Sequence, residues 1–389
     1  MVPFEGATSA PELEWLAESF VETLSADLAP YGHRVVTREE RLALLARHGL
    51  PATLPLTRAS WIRLGEVAEA DWVVWGSYTV ADGQLRASAQ ALDLRSLRLS
   101  PWAEESGPLA SLLEVQGQLA WNVERRLDPN LVLPRETFLE RLPPVPPSAF
   151  ESYVRGLLAL NREQQRRYFL QSTHLAPAYS APAFRLGQLY FEDASYPTAA
   201  AWFSRVAADD PSAPEAGFYL SLCHFYSGAY ARARETLAAV AERLRVPALW
   251  NNLGVFASRQ GENESAVRYF ERALETQPDH ADALFNLGLH YSRWRRWQEA
   301  VRAFSRTLEL NPDDSRAHLF LAHALTRLGR KAEAGQEKER AGPLKGSSAD
   351  PLESGVDRLE QHFSSDWHRP TVAPAGHLPA ARAQEGSVE

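Results

Sequence analysis

The feature that most limits what this chain can fold into is a set of residues that returns at a fixed offset. Leu253-Gly254, Ala266, Phe270, Ala273 and Pro278 recur 34 residues later as Leu287-Gly288, Ala300, Phe304, Thr307 and Pro312. Upstream, Leu186-Gly187, Tyr190, Ala199, Phe203, Val206 and Pro211 follow the same template. Leu220, Gly228, Tyr230, Ala233, Leu237 and Val240 follow it in a unit one residue shorter. Leu321-Ala322, Leu325, Gly329 and Ala334 continue it downstream, and residues 148–179 fit it loosely, ending at Pro177. The spacing is helical, and it describes a helix-turn-helix. Gly254, Ala266 and Ala273 stand where two helices must approach closely, Trp250, Leu253 and Phe270 fill the space between them, and proline stops the second helix. One such pair cannot bury its apolar face, whereas a stack of pairs can.

This period and residue set resemble the tetratricopeptide repeat family. The expected array is an all-α solenoid over residues 148–342, in units 148–179, 180–213, 214–246, 247–280, 281–314 and 315–342. The resemblance implies a scaffold that binds protein or peptide along a concave groove lined by the first helix of each pair.

Residues 1–127 read differently, as one α/β unit. Trp15, Leu16, Phe20, Val21, Leu24 and Leu28 lie on one face of a helix from about 11 to 28. A short strand is expected at His33–Val36, and Thr37 with Glu40 makes a capping box that opens a helix over 38–48. A further helix, led in by Thr57, ends near Ala68. Asp71–Val80 is rich in β-branched and aromatic residues, Asp82-Gly83 suits a two-residue hairpin turn, and Leu85, Ala87, Ala89 and Ala91 alternate on the return strand. A third strand is expected near Leu97–Trp102, then a helix from about Pro108 to Leu127.

The order Val2-Pro3-Phe4, Trp15-Leu16-Ala17-Glu18, Val35-Val36-Thr37-Arg38-Glu39-Glu40 and Ala68–Tyr78 resembles the TolB-amino-terminal-like or FlgO-like domains. The resemblance covers roughly residues 2–127 and implies a small domain without known catalysis, in bacterial envelope or regulatory proteins. Such domains open with a full apolar strand, whereas Met1-Val2-Pro3-Phe4 reads as the end of one, so either the first strand is short or, the favoured expectation, the true start lies upstream. An export signal there would place the protein in the periplasm or envelope; without one it would be cytoplasmic.

Residues 128–147 hold six prolines and read as an interdomain linker. In the tail, residues 343–389, Leu352, Val356, Leu359 and Phe363 are spaced for a short helix capping the open end of the stack. The Ala, Pro and Gly-rich end beyond is expected to be disordered.

Composition narrows the function. A net charge of −8 without a dense basic block excludes an electrostatic hold on nucleic acid, and no apolar run is long enough for a transmembrane segment. Only Lys331, Lys338 and Lys345 interrupt a basic complement that is otherwise arginine, and none is followed by Ser or Thr, so a phosphate loop is absent. The one cysteine, Cys223, has apolar helical neighbours and reads as a small core hydrophobe. His318 and His323 are five apart on one helix, on different faces, and do not form a metal pair. No catalytic residue, cofactor or metal is expected.

One constellation stands out. Arg259, Arg293 and Arg327 recur five residues after the Gly/Ala landmark in three successive units, on the face expected to line the groove. Asn251, Phe285, Leu289, Leu319 and His323 occupy neighbouring groove positions. Guanidinium groups beside apolar patches suit an acidic segment or a carboxy-terminal carboxylate. Equally, arginine near a helix carboxy end stabilises the helix dipole while staying solvated. Asn252 and Asn286 read as hydrogen-bonding residues between repeats. The leading expectation is therefore a non-enzymatic adaptor that holds a peptide or partner helix in its groove. The alternative is a regulatory or sensory subunit whose α/β domain binds a small ligand or an envelope partner, in a crevice near Asp71–Gly76.

Overall fold

The computed structural model describes residues 1–6, 11–50, 56–131, 134–140, 145–342, 357–364 and 367. Two compact units divide the chain, Met1–Leu189 and Tyr190–Glu389.

A five-stranded sheet organises the first unit. Strand β1 (Glu5–Gly6) pairs in parallel with β2 (Trp72–Ala81), and β2 forms a hairpin with β3 (Gln84–Asp93). Asp82 and Gly83 both take positive φ, 52° and 72°, which is the geometry of the tight hairpin turn expected there. The meander then departs from expectation. Between 97 and 102 only β4 (Arg98–Leu99) is strand, and the main third strand is β5 (Ala103–Pro108), antiparallel to β3. Ser100 explains the delay, because its backbone and hydroxyl bond the Ala91 backbone and the Gln90 side chain and so bend the chain. His33–Val36 is not a strand either: the His33 ring bonds Glu124 and the Arg34 side chain bonds Glu40, with no ladder partner.

Helices accompany the sheet. They are α1 (Leu16–Leu28), α2 (Arg38–Arg47), α3 (Arg58–Val67) and α4 (Leu112–Leu127). The Thr37–Glu40 capping box is formed, each side chain meeting the other residue's backbone N–H. Phe4 stacks flat on Phe20 of α1 at 4.6 Å between centroids. That stack needs Gly76 in β2, since a Cβ there would stand 2.2 Å from the Phe4 ring. Thr23, Gln116 and Ser19 join α1 to α4 by a buried hydrogen-bonded chain.

The proline-rich stretch contributes structure of its own. Helix α5 (Arg135–Leu139) buries Phe138, which stacks on Tyr31. Two helices follow, α6 (Pro147–Leu158) and α7 (Arg162–Leu175), which pack on each other, with Gly156 under the Phe169 ring. They belong to the first unit. The Tyr153 hydroxyl donates to Glu22, and Arg185 of the next helix, α8 (Ser180–Glu192), pairs with Glu39.

Helices of the second unit alternate as the repeat template requires. In chain order they are α9 (Tyr196–Phe203), α10 (Ala213–Tyr226), α11 (Tyr230–Leu244), α12 (Pro247–Gln260) and α13 (Asn263–Thr276). Next come α14 (Ala281–Arg293), α15 (Trp297–Leu310), α16 (Ser315–Arg327) and α17 (Lys331–Ala341). Gly254 of α12 faces the Phe270 ring of α13, where a Cβ would stand 2.5 Å away. Gly288 faces Phe304 in the same way in α14 and α15, at 2.8 Å. Cys223 is fully buried, and desolvation pushes its thiol up to about 12, as fits a core residue.

The turn inside each pair repeats as well. Ala194, Gly228, Gly261, Arg295 and Gly329 are equivalent positions, and all five hold positive φ, between 55° and 77°. Glycine takes that conformation freely, whereas a Cβ costs about 1 kcal/mol. Ala194→Gly and Arg295→Gly are therefore each expected to stabilise the protein by about 1 kcal/mol in denaturant melts. An unchanged or lowered midpoint in both variants would refute the strain.

Candidate functional site

The first helices α12 and α14 pack against each other, as do α14 and α16. Each displays on that surface the residues that the 34-residue register aligns. Along them lies the chain's own segment Asp357–Ser364 with Trp367. Leu359 and Phe363, expected on a capping helix, instead lie in the stretch 357–364, where no residue is helical; one tight turn follows, the Trp367 N–H donating to the Ser364 carbonyl at 3.1 Å. Leu352 and Val356, and the end expected to be disordered, lie outside the described residues. The spacing of 359 and 363 mimics one helical turn, but the backbone groups nearby are taken by side chains of the array.

Two asparagines hold that backbone. The Asn286 side chain accepts from the Arg358 N–H at 2.9 Å and donates to the Arg358 carbonyl at 2.7 Å. Asn252, its equivalent one repeat earlier, does the same for Glu360, at 2.9 Å in both directions. In extended chain, residues two apart present their backbone groups to the same side, so the pair reads one edge of a strand. Asn251 adds a second donor to the Arg358 carbonyl at 2.8 Å and accepts from Asn286. In the repeat before, the equivalent position is Tyr219, whose hydroxyl accepts from the Phe363 N–H at 3.4 Å.

Charges fix the register. The Asp357 carboxylate, its side chain only 5% exposed, lies between Arg259 and Arg293, with Arg293 at 2.7 Å. Arg358 lays its guanidinium 3.6 Å above the Phe285 ring and pairs with Asp314 at 2.5 Å and Asp282 at 3.3 Å. Leu359, Phe363 and Trp367 pack on the core of α10–α13, with Phe363 and Trp367 edge-on to Phe218. The segment thus runs from the later repeats toward the earlier ones.

Of the residues picked out in the sequence, Arg259, Arg293, Asn251 and Phe285 meet at this segment. Arg327 does not. It lies 5.7 Å over Trp297, with Nε 3.5 Å from His323. Leu289 is fully buried in the core with Phe285, Phe304 and Phe320, not on the groove surface, because the face carrying it packs against the partner helices. Leu319 and His323 are half-buried, and His323 turns toward Trp297. Asn252 and Asn286, expected to bond between repeats, chiefly bond the tail; only Asn286–Asn251 joins two repeats. Their recurrence in the Asn-Leu-Gly runs was the available signal. Asp314 and Tyr219 carried none.

His318 faces Glu337 and the Pro312 carbonyl, apart from His323. No group of three or more metal-ligating side chains exists among the described residues. No described helix is long and apolar enough to cross a membrane. At Asp71–Gly76 the protein's own side chains fill the space, with Val73, Val74 and Trp75 buried and Phe4 over Gly76.

His290 lies behind Arg293, 1% exposed, with Nδ1 2.9 Å from the Ser258 hydroxyl. Burial, above all, lowers its pKa from 6.5 to about 4. The unfolded chain takes up this proton below pH 6.5 and the folded chain does not until about 4. Stability is therefore full above that upper value and falls as pH drops toward the lower one. About 2 kcal/mol is expected to be lost by about pH 5, and a His290→Asn variant should lose correspondingly less; equal losses would contradict the assignment. A second outcome is local. Hydrogen exchange at the Arg358 amide should accelerate about tenfold or more in Asn286→Ala, and at the Glu360 amide in Asn252→Ala, since each loses a bond of about 1–2 kcal/mol. Unaltered exchange at both amides would remove the asparagine ladder.

Models of the tetratricopeptide repeat match residues 245–313, and residues 184–245 and 293–349. No curated protein matches the chain. Among solved structures, the MamA protein is 21% identical, over 42% of this chain and 89% of its own, with a TM-score of 0.39. MamA from residue 41 to its end, from Desulfovibrio magneticus RS-1, is 18% identical over 42% and 92%, with a TM-score of 0.39. YrrB, titled a TPR protein with an unusual peptide-binding site, is 18% identical over 44% and 90%, with a TM-score of 0.37. The helical pairs, their close glycine–phenylalanine approaches and the family matches agree that residues 184–342 are built of tetratricopeptide repeats.

Proposed function

We propose that this protein is a non-enzymatic scaffold whose repeat array takes an extended segment of a partner protein along α10, α12, α14 and α16. The observation that carries this reading is the asparagine pair, Asn252 and Asn286, each meeting both backbone groups of one residue of an extended chain. Such contacts grip a backbone whatever its side chains, and Arg259 with Arg293 adds a requirement for a carboxylate. Arg327, Leu289, Leu319 and His323 are left out of the proposed peptide contacts. The amino-terminal unit, by its order of strand, helix and hairpin, is read as a TolB-amino-terminal-like or FlgO-like α/β domain that docks elsewhere.

Panning a displayed library of random peptides on the full chain tests the reading. Wild-type protein should enrich peptides with an acidic residue, and Arg259→Glu/Arg293→Glu should lose them or select basic ones. If both proteins select the same peptides, the groove assignment is wrong.

A further inference from the structure

Resting on that reading, we propose that the segment Asp357–Ser364 is an internal stand-in for the partner, so that the groove takes an extended peptide reading acidic–Arg–Leu, with an aromatic residue four positions after the leucine, in place of the chain's own tail. The pattern follows from the contacts. The first position meets two arginines, and the second must lie flat on Phe285 while reaching Asp314 and Asp282. Arginine does both, since its guanidinium is planar and forked; lysine does not. Leucine at the third position and phenylalanine at the seventh reach the apolar surface that includes Phe218 and Trp250. The second and fourth positions give their N–H to Asn286 and Asn252, which excludes proline at both.

The tail is a strong occupant by proximity rather than by perfection. Fourteen residues separate Gly342 from Asp357. A segment tethered that closely acts at an effective concentration of roughly millimolar. One that binds with a Kd of roughly 10 μM would fill the groove in all but about 1% of molecules. Yet Arg259 Nε, Arg293 Nη2 and the Asp357 Oδ2 between them are all buried without a hydrogen-bond partner. Donors and acceptor are imperfectly aligned, and a partner carboxylate placed to meet them squarely gains bonds the tail does not make.

The test uses full-length protein and a labelled synthetic peptide with the sequence of residues 357–367, followed by fluorescence anisotropy. Three forms are compared: wild type, a tail-weakened D357S/F363S variant, and that variant carrying R259E/R293E as well. Circular dichroism confirms the fold of each, and D357N replaces the double tail variant should that variant unfold. The tail-weakened form is expected to bind the peptide at least about tenfold more tightly than wild type, and the added groove reversal to abolish binding. Wild type binding as tightly as the tail-weakened form, with both dependent on Arg259 and Arg293, would overturn the tail's role while leaving the peptide groove standing. No binding by any folded form would overturn both. A peptide with the first two residues exchanged, Arg-Asp in place of Asp-Arg, should bind about tenfold more weakly; equal affinity would overturn the motif.

Discussion

The two most regular repeats of the second unit depend on a phenyl ring lying against a glycine. Phe270 fills the space over Gly254 and Phe304 the space over Gly288, and a Cβ at either glycine would intrude within 3 Å of the ring. The two helices of a pair can then lie close, with small residues such as Ala266 and Ala300 buried between them. Because the same approach recurs after 34 residues, each first helix presents its outer face at the same rotation as the one before. Asn252 and Asn286 are in line for that reason, and so are Arg259 and Arg293. The surface that holds the tail segment is a consequence of core packing one layer beneath it.

Two kinds of interaction act on the segment in the groove. The asparagine bonds are nearly neutral toward sequence, and each contributes about 1 kcal/mol net because water is displaced on both sides. The Asp357 clamp is different. Its carboxylate is almost wholly buried while Arg259 and Arg293 remain about a quarter exposed, so the anion is desolvated and both cations retain some water. Removing one partner of such an arrangement costs more than the ion pair itself contributes, because a buried charge is left without its counterion. Discrimination therefore falls on the position of Asp357 and on Arg358 beside it, whereas the backbone bonds set direction and register.

Much of this was legible in the sequence, and the failures have physical reasons. Repetition fixed the helices and the Arg259–Arg293 column, since a period specifies both where elements lie and which faces align. It overreached at Arg327, where Trp297 offers a ring that the guanidinium covers instead. Leu289 misled because a first helix is buried on most of its circumference, so a one-residue error in rotation moves a side chain from groove to core. Asn252 and Asn286 were recognised as hydrogen-bonding residues, and Asn286 does bond Asn251 of the repeat before, but the tail backbone they chiefly meet was not foreseen, for a buried amide looks the same in sequence whichever backbone it meets. The tail was the largest miss. Leu352, Val356, Leu359 and Phe363 have helical spacing, yet an extended chain held by an array needs no periodicity of its own, because the array supplies it.

The direction of the segment adds a constraint that neither the ladder nor the clamp imposes alone. Asn252 and Asn286 would meet the backbone of a strand running either way, since each bonds the N–H and the carbonyl of one residue. Reversal would, however, carry the apolar residues away from Phe218 and toward the acidic end marked by Asp282 and Asp314. It would also bring the acidic residue away from Arg259 and Arg293. The array is polar along its length, basic and acidic over the later repeats and aromatic over the earlier ones. That gradient turns a backbone grip indifferent to direction into a site that accepts one orientation.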